Sequence, residues 1–329
     1  MRAAAITRTS ATMRQTGSGD LLADRRYAYA EGCLAEGDAA GAAEMAEQAL
    51  ERAPRFAAAW VLLGRAREAC HGKTPDPALF QAALRAYETA RDLDPEDALG
   101  TLVHLARLGA GGALPALSPA YVRALFDGYA GRFERHLVEG LGYRGPALVC
   151  AALDAAGARR YPDAIDLGCG TGLMGAALGA RVARLTGVDL APAMLALARR
   201  KGVYARLVEA EIGAFLDGEP AASADLCVAA DVFIYVADLG PVLAGIARVL
   251  RPGGRAAFTV QSHDGDGVIL GPDARYAHAD PHLRDAAARA GLGRASLHPA
   301  AIRREQGRDV AGRIVVLAKP PVAAGPAPD

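Results

Sequence analysis

The stretch Asp163-Ala-Ile-Asp-Leu-Gly-Cys-Gly-Thr-Gly-Leu-Met174 constrains this chain more than any other part of it. Ala164, Ile165 and Leu167 read as a short buried strand. Glycines follow at 168, 170 and 172, and the alanine-rich run from Leu173 to Ala180 reads as a helix. Glycine at a strand-to-helix turn lets the backbone take positive φ and come close to a ligand, and the helix behind it offers free N–H groups. Such a unit belongs to an open, mostly parallel sheet, which binds its ligand at the carboxyl ends of its strands.

The rest of the C-terminal two-thirds alternates in the same manner. Leu185–Asp189, Val203–Val208, Asp225–Ala230 and Arg255–Val260 read as strands, with helices over Ala191–Lys201 and Pro241–Leu250. Asp280-Pro281 caps a further helix up to Gly291, and Ala295–His298 and Ile314–Ala318 are expected as the last two strands. The expected fold is α/β, with a Rossmann-like, mostly parallel seven-stranded sheet. Residues that follow strands are the site candidates: the glycine turn, Asp189, Glu211, Asp231 and Gln261–His263.

Three nucleotide cradles compete for the turn. A phosphate loop ends in Gly-Lys-Ser/Thr, whereas Gly172 is followed by Leu173, so that reading fails. A nicotinamide fold prefers Gly-x-Gly-x-x-Gly, whereas this turn has Gly168, Gly170 and Gly172, with Asp166 two residues ahead. Pyrophosphate gains nothing from that carboxylate, but a cationic amino-acid ligand does, through charge-assisted hydrogen bonds. Asp189 suits a ribose diol, a feature shared with NAD proteins.

The N-terminal third reads differently. Pro54 and Pro95 close two similar phrases, Ala-Glu-Gln-Ala-Leu-Glu-Arg-Ala-Pro and Tyr-Glu-Thr-Ala-Arg-Asp-Leu-Asp-Pro. Counting back from each proline places Ala30, Ala42 and Ala49, and then Gly64, Ala83 and Ala90, where the helices of a tetratricopeptide (TPR) hairpin cross. Trp60, Leu63 and Gly64 match the Trp-x-x-Leu-Gly signature of that repeat, and His71–Pro77 reads as an inserted loop. Two repeats and a closing helix over Pro95–Leu108 either dock a peptide or second subunit, or only form a packed cap. Gly109–Ser118 reads as a linker. Ser118 and Pro119 then start a helical segment, Tyr121–Leu137, whose aromatics form a lid or pack on the sheet.

With 37 basic and 37 acidic side chains, the formal net charge is zero. Bulk nucleic acid is therefore an unlikely substrate, and no apolar run reaches the length of a membrane span. The five cysteines are scattered, without a zinc-binding pattern. They fit a reducing compartment, so a cytoplasmic location and no metal are expected. Arg2, Arg8 and Arg14, with no acidic residue before Asp20, have the composition of a leader or of a disordered tail.

Asp166-Leu-Gly-Cys-Gly-Thr-Gly172, Asp189 and Leu250-Arg-Pro-Gly-Gly254 resemble the signature of class I S-adenosylmethionine (SAM)-dependent methyltransferases. The order of TPR-like helices, Phe126–Phe133, Leu141–Arg144, core, and Arg275-Tyr-Ala-His278 resembles predicted bacterial methyltransferases that carry N-terminal TPR repeats. The resemblance implies a class I methyltransferase core over 119–320, preceded by lid helices. A TPR-like domain over 23–108, a linker over 109–118, and tails over 1–22 and 321–329 complete the expected organisation.

By that resemblance SAM is the cofactor. Asp166, Gly168, Cys169, Gly170, Thr171 and Gly172 approach its methionine part, Asp189 and Leu190 its ribose, and Glu211 and Ile212 its adenine, with Tyr129 contributed by the lid. Relatives more often carry Asp where Glu211 stands, and a solvated loop carboxylate is the alternative role for it. Asp231, Tyr276 and His278 are the substrate-side candidates, with His263 a further base; all four are expected in loops or at strand ends. A small-molecule methyl acceptor is expected ahead of a protein brought by the TPR-like helices. The rival readings are an interaction protein with a vestigial nucleotide fold and an NAD-dependent oxidoreductase.

Overall fold

The computed structural model describes residues 17–111, 116–157, 159–305 and 307–321. The arginines of the expected leader and most of both expected tails lie outside these ranges. The chain forms two compact units, one running to Leu125 and one beginning at Phe126.

The first unit is all-helical. Helices α1 (Leu21–Glu36), α2 (Ala39–Arg52), α3 (Ala57–Lys73), α4 (Pro77–Leu93) and α5 (Thr101–Arg107) each pack on the next. The Asp20 carboxylate caps α1 through the amides of Leu22 and Ala23, and Gly37 ends the helix in the left-handed conformation. Ala30, Ala42, Ala49, Ala83 and Ala90 are fully buried, as expected of small residues at helix crossings. Gly64 is the tightest of these contacts: a Cβ there would stand 2.6 Å from the Tyr87 ring. The Trp60 indole N–H donates to the Pro54 carbonyl at 2.8 Å, fixing the turn between α2 and α3. The closing helix is shorter than expected and starts at Thr101, because Asp97 and Gly100 both take positive φ just before it.

Helix α6 (Pro119–Tyr129) starts as expected, with the Ser118 hydroxyl accepting from the Tyr121 amide. The chain stays helical through Leu137, as expected, but not as one α-helix: Gly128 and Gly131 weaken it, and a 3-10 turn (Ala130–Arg132) and a π-helical segment (Arg135–Gly140) follow.

The second unit then continues with α7 (Gly145–Ala155), β1 (Tyr161–Leu167), α8 (Leu173–Leu178), β2 (Val182–Asp189), α9 (Pro192–Lys201), β3 (Arg206–Glu209) and α10 (Ile212–Gly218). Next come β4 (Ala224–Ala229), α11 (Leu239–Val249), β5 (Leu250–His263), β6 (Val268–Leu270), β7 (Tyr276–Ala279), α12 (Asp280–Arg289), β8 (Gly293–Glu305) and β9 (Arg308–Ala318).

Among the described residues, one sheet holds all nine strands. Seven run in the order β3-β2-β1-β4-β5-β9-β8, with the first five parallel and β9 antiparallel to both of its neighbours. This is the expected Rossmann-like core. Two short strands add to it: β7 lies parallel to the far end of β5 at Gln261–His263, and β6 pairs with β7. Tyr276 therefore stands at the start of a strand and His278 inside it, where loop or strand-end positions were expected. Both neighbours of β7 cover it, and all four of its residues are buried.

Apolar side chains fill both faces. Ile165, Leu167, Phe258 and Val315 pack under α10, α11 and α12 on one face. Ala164, Leu226, Val228 and Ile314 pack under α7 and α8 on the other. Residues buried on both sides make the continuous apolar runs of β4 and β5.

Candidate active site

The parallel strands bring their carboxyl ends to one edge of the sheet, where β1 and β4 diverge to opposite neighbours and the glycine turn begins. Gly168, Gly170 and Gly172 have φ of 64°, 52° and 90°, the left-handed region that glycine enters at least cost. The three glycines do different work. A Cβ on Gly168 would meet the Val232 methyls at 2.6 Å, and one on Gly172 would meet the Tyr204 ring at 3.0 Å. Above Gly170 the nearest atom is the Phe133 ring at 4.0 Å, so this glycine leaves the turn open.

Asp189, at the end of β2, holds the turn in place. Its Oδ2 accepts from the Gly170 amide at 2.8 Å and its Oδ1 from the Ala191 amide at 2.9 Å. Burial raises its pKa, the two amides oppose the rise, and Asp127 adds to it. Leu190 follows, half-buried. Thr171 and Cys169 are buried, and the Cys169 thiol packs on Leu195 and Ala198 of α9, where burial pushes its pKa up.

Asp166 is fully buried. Its Oδ2 accepts from the Tyr204 hydroxyl at 2.6 Å, whereas its Oδ1 has no hydrogen-bond partner. Burial pushes this carboxyl up to about 7, against the Tyr204 hydrogen bond and the nearby Gly175 amide and with help from the Asp189 charge. An unmet oxygen on a buried carboxylate is costly unless a donor or a cation reaches it.

Aromatic side chains of the 126–137 segment lie beside the turn. Phe126 and Phe133 pack on Ala191 and Met194, Phe126 meets Tyr235 edge-on at 5.4 Å, and Asp127 Oδ1 accepts from the Ala193 amide at 3.0 Å. Glu134 pairs with Lys201 at 2.8 Å. Tyr129 packs on Phe133 and His136, and Phe133 is the ring of this segment that comes nearest Gly170. After β3, the Glu211 carboxylate caps α10 through the Ala214 amide at 2.9 Å, and Ile212 packs in the core with Val188.

On the substrate side, Asp231 follows β4 with a φ of 62°, an uncommon conformation for a residue with a side chain. Its amide donates to the Thr259 hydroxyl at 2.7 Å, and its Oδ1 accepts from Arg303 Nη1 at 2.8 Å. Arg303 is only 1 % exposed. It also donates to Gln261 Oε1 at 2.9 Å and Glu305 Oε1 at 3.2 Å. A register shift in β8 between Ala301 and Arg304 turns this guanidinium inward, a common use of an irregular strand. Arg275 completes the network with Glu305 and, at 3.6 Å, Asp273.

The other substrate-side candidates are enclosed. Tyr276 is buried. His278 is fully buried with Nε2 at 3.2 Å from the Phe233 carbonyl, and burial lowers its pKa to about 4, leaving it neutral at neutral pH. His263 uses both ring nitrogens locally, on Gly265 and Gly267. The structure thus gathers Asp166, the glycine turn, Asp189 and Leu190, places Asp231 next to them through Val232, and leaves Glu211, Tyr276 and His278 committed elsewhere. Sequence reasoning missed Tyr204, Phe133 as a turn neighbour, and Arg303. Arg275 stood in the Arg-Tyr-Ala-His motif, which was the available signal. Among the described residues no cluster of metal-binding side chains occurs.

Residues 165–258 match a protein-family profile described as "Methyltransferase domain". The chain is 33 % identical over 110 residues to the ubiquinone biosynthesis O-methyltransferase of Xanthomonas oryzae pv. oryzae, covering 32 % of this chain and 44 % of that one. It is 36 % identical over 95 residues to the malonyl-[acyl-carrier protein] O-methyltransferase of Serratia marcescens, covering 29 % and 36 %. The chain therefore spans less than half the length of these curated relatives. Among solved structures, the 1,6-didemethyltoxoflavin-N1-methyltransferase of Burkholderia thailandensis is similar with a TM-score of 0.44 and 23 % identity, covering 54 % of this chain and 78 % of that one. The match to a methyltransferase domain thus falls on the segment that carries the glycine turn, Asp189 and Asp231.

Proposed function

We propose that this protein is a SAM-dependent methyltransferase that passes the sulfonium methyl group to a small-molecule acceptor. The observation that carries the reading is the turn itself: open space above Gly170, Asp189 bonded to its amide, and a buried Asp166 oxygen without a partner. These residues fit SAM. In this reading Asp166 faces the ammonium, the turn backbone approaches the methionine part, and Asp189 accepts from the ribose hydroxyls. Gly168, Cys169, Thr171, Gly172 and Leu190 complete that wall.

When bound, SAM supplies a methyl group already activated by the positive charge on sulfur. What remains for the chain is positional: hold the acceptor in line and keep water away. Phe126 and Phe133 exclude water beside the turn. Asp231, fixed by Arg303 and Thr259, takes the proton of a hydroxyl or amine acceptor, and is preferred to Tyr276 and His278 because those are closed in β7.

The similarity to a ubiquinone biosynthesis O-methyltransferase supports a small acceptor, and that to a malonyl-[acyl-carrier protein] O-methyltransferase a small group borne on a carrier. The helical hairpins, with alanines at their crossings, support a TPR-like reading of the first unit as a docking or self-association surface. The test is incubation of the full chain with methyl-labelled SAM and a pool of cell metabolites. Label in small molecules supports the reading, label only in protein moves the acceptor to a protein, and no consumption of SAM overturns it.

A further inference from the structure

Tyr204 lies outside every motif, in the short connection between α9 and β3, yet three separate glycines make room for it. A Cβ on Gly172 would stand 3.0 Å from its Cε2, one on Gly175 2.5 Å from its hydroxyl, and one on Gly187 2.8 Å from its Cε1. These glycines come from the turn, from α8 and from β2, so the slot is assembled by the fold and not by a local run. The slot delivers the hydroxyl to Asp166 Oδ2 at 2.6 Å and leaves Oδ1 unmet.

The groups that face Asp166 are the Tyr204 hydroxyl, the Gly175 amide of α8, the Cys169 thiol beside the turn, the Asp189 carboxylate from β2, and the Tyr143 phenol ahead of α7. None of these is cationic. A buried carboxyl in such surroundings holds a proton more tightly than a solvated one does.

We propose that Tyr204 is a positioning residue for the cofactor's ammonium: it pins one oxygen of Asp166, leaves the other for the ammonium, and thereby couples cofactor capture to release of the proton that Asp166 holds in the empty protein. The proposal rests on the SAM reading above. It adds a residue and a proton balance to it. The ammonium replaces the proton, so one positive charge enters the site as the other leaves to solvent.

The sign follows from the raised carboxyl. Below about pH 7 the ligand must displace a proton, and above it Asp166 is already ionised. S-adenosylhomocysteine (SAH) carries the same ammonium and serves as the probe, titrated calorimetrically into the full chain from pH 5.5 to 8 in two buffers of different ionisation enthalpy. Affinity is expected to rise about tenfold between pH 6 and pH 8, with about half a proton released per SAH near pH 7.

Tyr204→Phe removes the hydrogen bond that favours the ionised form, so its rise in affinity shifts to higher pH and is recovered there. A merely structural tyrosine would lower affinity equally at every pH. Asp166→Asn loses both the rise and the proton release. The proposal is overturned if wild-type affinity is flat across this range, if Asp166→Asn keeps the slope, or if Tyr204→Phe leaves the profile in place. If SAH fails to bind the folded protein at any pH, the cofactor reading falls and takes this proposal with it.

Discussion

The backbone amide of Gly170 donates to Asp189 Oδ2 at 2.8 Å, which ties the turn after β1 to the end of β2. The residue expected at the ribose is thus also the brace of the cradle. Asp189→Ala removes the acceptor of two amides, Gly170 and Ala191. It is expected to cost about 1–3 kcal/mol of stability and to weaken SAH binding about tenfold or more. Urea denaturation and calorimetry on the same variant check the two effects. Unchanged SAH affinity would remove Asp189 from the site.

Gly170 and Gly172 separate ligand space from packing space. Gly170→Val places a branched side chain where the turn is open, at a φ of 52°, and is expected to abolish SAH binding. Gly172→Ala meets the Tyr204 ring and strains a φ of 90°, so its first effect is on stability, with a cost of about 1–3 kcal/mol. Thermal melts with and without SAH distinguish them. If Gly170→Val binds SAH normally, the turn does not hold the cofactor.

These contrasts show what the sequence made legible. The Asp166–Gly172 turn and Asp189 could be read because the motif is local and its spacing sets the geometry. The parallel strands were legible through unbroken apolar runs such as that of β4. Helix over Tyr121–Leu137 was legible from its periodicity, whereas the change to 3-10 and π geometry after Tyr129 was not, because it is set locally around Gly128 and Gly131. Strands β6 and β7 were missed because they are short, and because β7 pairs with the overlong end of β5 and β6 only with β7. Tyr204 and Arg303 were invisible for another reason. The tyrosine's slot is built from glycines on three elements, and Asp231 meets its arginine 72 residues along the chain.

Arg303 is the buried centre of the Asp231, Gln261 and Glu305 contacts. Arg303→Met leaves the Asp231 carboxylate without its ion-pair partner, while Glu305 keeps Arg275, and is expected to lower stability by about 3–5 kcal/mol. Arg303→Lys keeps the charge but loses the planar fork, so its loss is smaller. The urea midpoints of both variants give the order; a methionine variant as stable as the wild type would show the network to be dispensable.

Asp97, in the helical unit, is buried with one oxygen unpartnered, and burial raises its pKa to about 6. A carboxyl raised on folding contributes stability at low pH that is lost as pH rises through the folded value. Asp97→Asn tolerates the φ of 54° and removes that charge. Its thermal midpoint is expected to exceed the wild type's at pH 7.5, with a smaller difference at pH 5. An equal gain at both values would show that ionisation of Asp97 is not the cause.

The cofactor is the central claim, and a thermal-shift panel tests it most directly, because a ligand that binds the native state must raise its apparent stability. The full chain is melted alone and with SAM, SAH, NAD or NADH at equal concentrations. A raised midpoint with SAM and SAH, and none with either dinucleotide, is the predicted result. A response to the dinucleotides alone, or to none of the four, contradicts the account.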